Sequence, residues 1–138
     1  MGVFDALRVT GSALRAQRVR LDVIAENVAN AEATRSSGGG PYRRQQVVLR
    51  SRQIEDGPGG PSCVGVRVAA VEADPSSLPR AYIPGHPDAD AEGYVTMPNV
   101  DLPTEMADMV LAARAYEANA AVLRSGREMR QAALSILA

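Results

Sequence analysis

A seven-residue repeat of aliphatic side chains near the start of the chain constrains its fold more than any other feature. The repeat consists of Leu7, Leu14, Leu21 and Val28, and Ile24 extends the same stripe. Residues seven apart lie on the same side of an α-helix, so the repeat keeps one seam turned toward a partner helix, as in a coiled coil. We therefore predict a helix over residues 3–30 that packs along one face.

The predicted helix ends abruptly. Asn27 and Asn30 stand at its end, and Asn tolerates the left-handed conformation that is common at helix C-termini. A Ser/Gly run over residues 36–40 then breaks the regular structure. Beyond it, two apolar runs predict strands over residues 42–50 and 63–71. We expect these strands to form a hairpin across the turn sequence DGPGGP.

Prolines determine the character of residues 74–98, where five of the nine prolines of the chain occur. Proline lacks a backbone N–H and restricts the residue before it, so this density excludes a helix. We predict an extended arm in this region. Together with the two strands it would make residues 35–99 an insert between two helical ends.

A second long helix is predicted over residues 102–137. Pro103 suits its first turn, Asp101 suits its N-cap, and Glu105 favours the same end. Two seven-residue series run along it: Leu102, Met109, Tyr116 and Leu123, and Met106, Ala113, Ala120 and Leu134. A further apolar stripe consists of Val122, Gly126, Met129, Ala133 and Ile136. Two stripes favour a helix that packs on more than one side in a multi-chain assembly, and ordinary burial in a small bundle is an equally open explanation.

Charge is unevenly distributed in the middle of the chain. Residues 35–52 contain five Arg and no acidic residue, whereas residues 53–108 contain ten acidic residues and two Arg. Two solvated loops would have this pattern, and so would complementary surfaces on neighbouring subunits. On the second interpretation, the candidate charge contacts between subunits are Arg43, Arg44 and Arg50.

The residue types that usually perform chemistry are sparse. Cys63 is the only cysteine and His86 the only histidine, so a Cys/His zinc site and an internal disulfide are both excluded. The acidic residues after His86 lack the Gly and the closing Glu of an EF-hand loop, and no phosphate-binding motif is present. We therefore expect no enzymatic activity, no cofactor and no metal site.

Charge and hydropathy exclude further classes of protein. The formal net charge is −1, which does not favour nucleic-acid binding. No apolar run approaches the roughly 18 residues of a membrane span, and the first residues lack the apolar segment of a secretory signal. We expect no membrane insertion, and any export would use a route without a cleaved signal peptide.

Three stretches together resemble the flagellar rod and hook protein family. They are GSALRAQRVRLDVIAENVANAEAT at residues 11–34, GYVTMPNVDLPTEM at residues 93–106 and ARAYEANAAVL at residues 113–123. The first resembles the family's N-terminal helix, which ends in a pair of asparagines. The other two resemble the approach to the C-terminal helix and its continuation. The length, without a large inserted domain, is similar to that of the proximal rod members.

The resemblance implies a mainly α fold with a small β insert. The terminal helices, residues 1–34 and 100–138, would pair as a coiled coil lining a central export channel, and residues 35–99 would form the hairpin and the Pro-rich arm. The implied function is that of a structural subunit of the proximal rod, a hollow periplasmic drive shaft that transmits torque. Implied partners are other proximal and distal rod proteins, the rod–ring junction protein and the membrane-ring protein, in a helical assembly reached through the flagellar type III export apparatus.

We expect the assembly interface on the two terminal helices. On the first helix it comprises Leu7, Leu14, Leu21, Ile24, Asn27, Val28 and Asn30. On the second it comprises Met106, Met109, Ala113, Tyr116, Asn119, Ala120, Leu123 and Leu134. The alternative is a soluble helical adaptor or export chaperone that binds a flagellar partner through the same stripes.

Overall fold

A computed structural model describes residues 3–36, 38–55 and 62–137 of the chain. In chain order its elements are α1 (Val3–Ala29), β1 (Gln45–Glu55), β2 (Ser62–Ala73), β3 (Arg80–Tyr82), β4 (Tyr94–Thr96) and α2 (Leu102–Leu137). Two long helices with a small β insert between them agree with the predicted mainly α fold with a small β insert. None of the described helices is apolar enough over a sufficient length to cross a membrane.

The two helices pack against each other in opposite directions. α1 has 27 residues and α2 has 36, which correspond to about 40 and 54 Å at 1.5 Å per residue. Three contacts establish the antiparallel arrangement: Leu7 with Gly126, Arg20 with Asp108, and Asn27 with Glu105. The start of α2 therefore lies beside the end of α1.

The helix ends follow the sequence prediction, but α1 ends by a different mechanism. Asp101 accepts a hydrogen bond from the backbone N–H of Thr104 at 3.2 Å, which confirms it as the N-cap of α2. Asn30 does not adopt a left-handed conformation, since every described residue with positive φ is a glycine. Its side-chain Nδ2 instead donates to the carbonyl of Glu26 at 2.9 Å.

β1 and β2 form an antiparallel pair whose register runs from Gln45 opposite Ala73 to Glu55 opposite Ser62. The strands are longer than the predicted 42–50 and 63–71, and a register shift between Val48 and Leu49 marks a bulge. The predicted DGPGGP turn, residues 56–61, lies outside the described residues.

The proline-rich region differs from the predicted extended arm. β3 and β4 pair antiparallel and form a second two-stranded sheet. Its prolines at 75, 79, 84, 87 and 98 all lie outside the two strands, so they do not interrupt the ladder. The aromatic rings of Tyr82 and Tyr94 on the two strands pack edge to face, with 5.3 Å between their centroids. The guanidinium carbon of Arg80 lies 5.0 Å from the centroid of the Tyr94 ring.

The β1–β2 hairpin lies directly on α1. The hydroxyl of Ser12 accepts a hydrogen bond from the backbone N–H of Val66 at 3.0 Å. A Cβ atom at Gly65 would lie 2.6 Å from Ser12 Oγ and 2.7 Å from Ile54 Cδ1. Only glycine permits this approach of strand to helix, so Gly65 fixes where the hairpin sits.

Candidate assembly interface

One face of α2 turns toward α1, and we call this face the seam. Its covered positions recur at alternating steps of four and three: Glu105, Met109, Ala112, Asn119, Leu123 and Gly126, with Tyr116 between them partly exposed. This is the spacing of helices that pack along their length. At the far end of the seam, a Cβ at Gly126 would lie 2.7 Å from Leu7 Cδ2, so glycine allows the helices to approach closely.

The predicted interface residues of α1, with Asn30 just beyond its end, are all at least partly covered. Ile24 and Asn27 are buried. The remaining predicted residues are half-buried: Leu7, Leu14, Leu21, Val28 and Asn30. They surround the buried residues and leave some apolar surface accessible after the helices have paired.

The predicted interface residues of α2 separate into two groups. Five are half-buried beside α1: Met109, Ala113, Asn119, Ala120 and Leu123. Three remain exposed in the single chain: Met106, Tyr116 and Leu134. The fold of one chain thus covers part of the predicted set and leaves the rest at its surface.

A second apolar face of α2 faces solvent, and we call it the apolar stripe. It consists of Leu111, Val122, Met129 and Ile136, which are 62%, 53%, 59% and 84% exposed. Leu111 directly precedes Ala112 of the seam, so the stripe lies about 100° around the helix from it. Three of its members belong to the further apolar stripe expected from the sequence. All residues from 127 to 136 are exposed.

The opposite end of the helix pair is held by a buried polar cluster, which we call the junction. Its central residue is Asn27, only 1% exposed. The Asn27 Nδ2 donates to the carbonyl of Gln45 at 2.9 Å and to Glu105 Oε2 at 3.0 Å. The Asn27 Oδ1 accepts from the Gln45 N–H at 2.8 Å and the Tyr42 hydroxyl at 2.9 Å. One amide therefore joins α1 to α2 and to the start of β1.

The charged half of the junction consists of Glu105 and Arg44. Glu105 is fully buried, and its Oε1 accepts from Arg44 Nε at 2.6 Å. Arg44 also lies 3.7 Å from a carboxylate oxygen of Asp74 and from one of Asp108. A buried carboxylate is tolerated only when it is paired and hydrogen-bonded, and both conditions hold here.

Backbone contacts extend the junction to the segment that precedes α2. The Arg44 N–H donates to Asn99 Oδ1 at 2.8 Å, and the Arg44 carbonyl accepts from the Asp74 N–H at 2.7 Å. Asn99 in turn donates to Ser76 Oγ at 2.7 Å. Because Arg44, near the start of the insert, contacts Asp74 in its middle, Asn99 at its end and Glu105 on α2, the junction sets the position of the insert relative to the helices.

The junction also shifts the pKa of two of its members. Burial alone would lower the pKa of Arg44, but the hydrogen bond and charge of Glu105, with Asp74 and Asp108, raise it above its ordinary value. The pKa of Tyr42 is raised by burial and then by the charges of Glu26 and Glu105. Arg44 therefore stays charged, and the Tyr42 hydroxyl stays a donor at neutral pH.

The role of Glu105 in the junction was not predicted from the sequence. The sequence pattern assigned this residue only to the favourable first turn of α2, and it assigned Asn27 to the end of α1 and to the assembly interface. A signal was available, since Glu105, Ala112, Asn119 and Gly126 form a seven-residue series that the seam uses. An acidic residue in such a series is expected to need a partner on the facing helix.

The three arginines proposed as contacts between subunits have different surroundings. Arg44 is engaged within the chain as described. Arg43 is exposed, and one of its guanidinium nitrogens donates to the carbonyls of Asp74 at 3.3 Å and Ser76 at 3.2 Å. Arg50 is exposed on β1. The charge accessible to a neighbour therefore belongs to Arg43 and Arg50.

The cysteine and the histidine have different surroundings. Cys63 is buried and its sulfur faces the Ile54 carbonyl at 3.8 Å. His86 Nδ1 accepts from the Asp88 N–H at 3.1 Å. Hydrogen bonds from Thr34 and Arg35 lower the pKa of Asp88. Among the described residues no group of His, Cys, Asp and Glu is arranged to hold a metal ion.

Similarity to known proteins shows to which family the chain belongs. The family model for the flagella basal body rod protein matches residues 7–35, and that for the flagellar basal body rod FlgEFG protein C-terminal region matches residues 91–136. The flagellar basal-body rod protein FlgC of Borreliella burgdorferi is 45% identical, with 99% of each chain covered. The chain belongs to the FlgC family of flagellar basal-body rod proteins.

Other members of this family are similar to the chain over nearly its full length. The FlgC protein of Salmonella typhimurium is 41% identical, with 99% of this chain and 98% of the relative covered. That of Bacillus subtilis is 40% identical, with 99% of each covered. The expected resemblance is confirmed, and full-length similarity to rod proteins disfavours the alternative of an adaptor or export chaperone.

Proposed function

We propose that the chain is a structural, non-catalytic subunit of the proximal rod, built into it through the surfaces that its own fold leaves uncovered. Membership of the FlgC family supports a role as a structural subunit of the flagellar basal-body rod.

The observation that carries this proposal is the exposed apolar stripe on α2. A helix of 36 residues presents Val122, Met129 and Ile136 to solvent although α1 already covers the seam. Burying one such side chain contributes about 1.5–3 kcal/mol. Helices of neighbouring rod subunits are the occupants that we propose, because a non-closing contact repeated along a helical assembly buries such a stripe on every copy.

We propose that residues 1–34 and 100–138 form the rod core and that residues 35–99 fit it to adjacent proteins. The half-buried leucines of α1 and the exposed Met106, Tyr116 and Leu134 would complete their burial against neighbouring helices, as a coiled coil does. On this proposal, the terminal helices line the export channel and transmit torque through their shared contacts.

The proposed partners are other proximal and distal rod proteins, the rod–ring junction protein and the membrane-ring protein. The proposed location is the periplasmic part of the basal body, reached through the type III export apparatus without a cleaved signal. Arg43 and Arg50 are the proposed charge contacts. Exposed pairs contribute only about 0–1 kcal/mol each, so they would set register more than affinity.

A pair of substitutions on α2 tests the proposal. Met129→Asp places a charge in the apolar stripe, and Gln131→Asp places the same charge two residues away on a different face. Both positions are exposed, so neither change should unfold the chain. We expect Met129→Asp to abolish recovery of the chain in extracted basal bodies and to stop swimming, while Gln131→Asp leaves both unchanged.

Export provides the control for this experiment. The amount of each variant secreted through the flagellar apparatus should equal that of the unmodified chain, because neither substitution alters a buried residue. Normal swimming of the Met129→Asp strain, with the variant present in its basal bodies, would show that the stripe is not an assembly surface.

A further inference from the structure

The second sheet, formed by β3 and β4, stands apart from the other helices and strands that the structure describes. No Cα atom of a helix or of the β1–β2 hairpin lies within 8 Å of a Cα atom in these two strands. The sheet nevertheless presents large side chains to solvent: Tyr82 is 64% exposed, Ile83 40% and Tyr94 39%. Exposed aromatic residues close together are typical of the centre of a protein interface.

One half of this sheet already holds an arginine. The guanidinium carbon of Arg80 lies 5.0 Å from the centroid of the Tyr94 ring, and the same guanidinium pairs with the carboxylate of Asp90. The negative face of the aromatic ring and the carboxylate thus attract the guanidinium together. A tyrosine next to a carboxylate is therefore a binding site for arginine in this sheet.

The other half of the sheet has the same two groups without an arginine. A Cβ atom at Gly93 would lie 2.9 Å from Cε2 of Tyr82, so the Tyr82 ring lies directly against the backbone of Gly93. Glu92 precedes this glycine and is exposed. Within the described ranges, no arginine pairs with Glu92. We call Tyr82 and Glu92 the tyrosine–glutamate site.

Exposed arginines that could fill such a site lie on the β1–β2 hairpin. Arg50 stands directly opposite Arg67, and Arg52 is two residues from Arg50 on the same face of β1. All three are exposed. Like charges directly opposite each other destabilise a strand pair, and no described carboxylate forms an ion pair with any of the three. We call them the arginine face.

The tyrosine–glutamate site and the arginine face lie far apart in one chain. Arg52 lines a groove beside Ser12 in the first half of α1. The loop between β3 and β4 is instead fixed beyond the end of α1, where Asp88 accepts a hydrogen bond from Thr34 Oγ1 at 2.8 Å. The rise from Ser12 to the last residue of α1 is about 25 Å at 1.5 Å per residue. Two copies placed head to tail can bring the two surfaces together.

The charge distribution favours a second copy as the partner. Glu72 and Asp101 are exposed at the junction end of the chain, as Glu92 is, and they too have no arginine partner among the residues that the structure describes. The arginine face lies toward the opposite end. Each copy therefore carries both halves of a complementary contact. A contact between two different surfaces of the same chain can repeat from copy to copy without closing, as a helical assembly requires.

We propose that the tyrosine–glutamate site of one copy binds the arginine face of the next copy of this chain. This inference rests on the proposed function, because it names one contact between rod subunits. A guanidinium of the arginine face stacks on the Tyr82 ring and pairs with Glu92, which repeats the arrangement of Arg80 in the same sheet. The pairing fixes the register of successive copies.

Site-specific crosslinking in assembled basal bodies tests the partner. A photoreactive amino acid replaces Ala91, which is exposed next to Glu92, and leaves the tyrosine–glutamate site in place. A second strain carries the photoreactive residue at Met129 as a control for incorporation. We expect position 91 to give a product with twice the mass of the chain, in which the link lies within β1 or β2.

Exchange of charge provides the second arm. The double variant Arg50→Glu, Arg67→Glu and the single variant Glu92→Arg should each lower recovery in basal bodies about tenfold or more, because each brings like charges together. The triple variant carries all three changes in every copy, so opposite charges meet again and recovery should return to within about threefold of the unmodified chain. Arg124→Glu, at an exposed position on α2, should change recovery less than about twofold.

The aromatic ring allows a matched pair of variants. Tyr82→Phe keeps the ring and should leave recovery within about twofold of the unmodified chain, whereas Tyr82→Ser removes the ring and should lower recovery about fivefold or more. Equal recovery of these two variants would contradict stacking of an arginine on Tyr82.

The outcomes separate this inference from the proposed function. Absence of the unmodified chain from basal bodies would refute both. Crosslinking at position 129 to rod proteins, with position 91 joined to a different protein, to another part of a second copy or to nothing, would overturn only the contact between copies. Recovery of the triple variant no better than that of the double variant would overturn that contact as well.

Discussion

The two ends of the helix pair are built in opposite ways. At the junction, where α1 ends and α2 begins, buried polar groups satisfy one another, and Glu105 is fully buried between Asn27 and Arg44. At the far end, residues 127–136 of α2 are all exposed although Met129 and Ile136 are large and apolar. The helix α2 is thus fixed by contacts within its own chain at its start, whereas its last residues are not covered.

The two ends therefore have different roles: the junction stabilises the fold of the single chain, and the exposed end provides a surface for assembly. Hydrogen-bonded charges have few acceptable arrangements, so the junction specifies one orientation of the insert against the helices. An apolar stripe accepts many partners and contributes free energy only when it is covered. Substitutions at the junction should therefore change the stability of the single chain, whereas substitutions in the stripe should change incorporation alone.

The largest effect on stability is expected from Asn27→Asp. The substitution removes both Nδ2 donors and places a carboxylate against Glu105, so the free energy of unfolding should fall by about 2–4 kcal/mol. Asn30→Asp is the matched control, because the side chain of Asn30 makes only one described hydrogen bond, to Glu26. Urea unfolding followed by circular dichroism should show a loss below about 1 kcal/mol for this control. Equal losses in the free energy of unfolding for the two variants would show that the junction does not determine the stability of the single chain.

Gly65→Ala should have the next largest effect. The added methyl group meets Ser12 Oγ and Ile54 Cδ1 from two sides, so either the hydrogen bond from Val66 or the packing of Ile54 must give way. We expect a loss of about 1–3 kcal/mol in the free energy of unfolding. An unchanged urea midpoint would mean that the hairpin is not fixed against α1 at this glycine.

Gly126→Ala should have a much smaller effect although it also introduces a close contact. The methyl group meets only the end of the flexible Leu7 side chain. The helix gains about 0.5–1 kcal/mol from replacing glycine, which offsets the adjustment of Leu7. The same urea experiment should show a change within about 1 kcal/mol. A loss as large as that of Gly65→Ala would show that the far end is packed as rigidly as the hairpin.

The smallest effect concerns pH. Thr34 and Arg35 hold the pKa of Asp88 below its ordinary value, so the ionised carboxylate contributes stability above about pH 4 that is lost as the pH falls through the lowered value. An NMR titration of the Asp88 carboxyl carbon should give a midpoint below the ordinary range. Thr34→Val should move it upward. A midpoint that does not respond to Thr34→Val would contradict the hydrogen bond as its cause.

Periodicity was a sufficient guide to the long elements. The seven-residue repeat predicted α1 to within one residue at its end, and Asp101 marked the start of α2. Alternating valines predicted β2. The second sheet was missed because its strands have only three residues each, which is too short for an apolar pattern to develop.

The junction could not be predicted from local pattern because its members come from four separate parts of the chain. Asn27, Arg44, Asn99 and Glu105 meet only after the helices pair and the hairpin folds back. Arg44 was therefore assigned to contacts between subunits on charge alone, while the structure engages it within the chain. Composition gives the sign of a charge, and the fold determines where its partner is.

Hydrogen exchange measured by mass spectrometry tests the contrast between the two ends most directly. In the isolated chain, peptides around Asn27 and Glu105 should be strongly protected, while peptides covering residues 127–137 should exchange much faster, because no other element covers that end of α2. In assembled basal bodies both regions should be protected. Equal protection of residues 127–137 in the isolated chain and in the basal body, or exchange of the junction before the far end, would contradict the account.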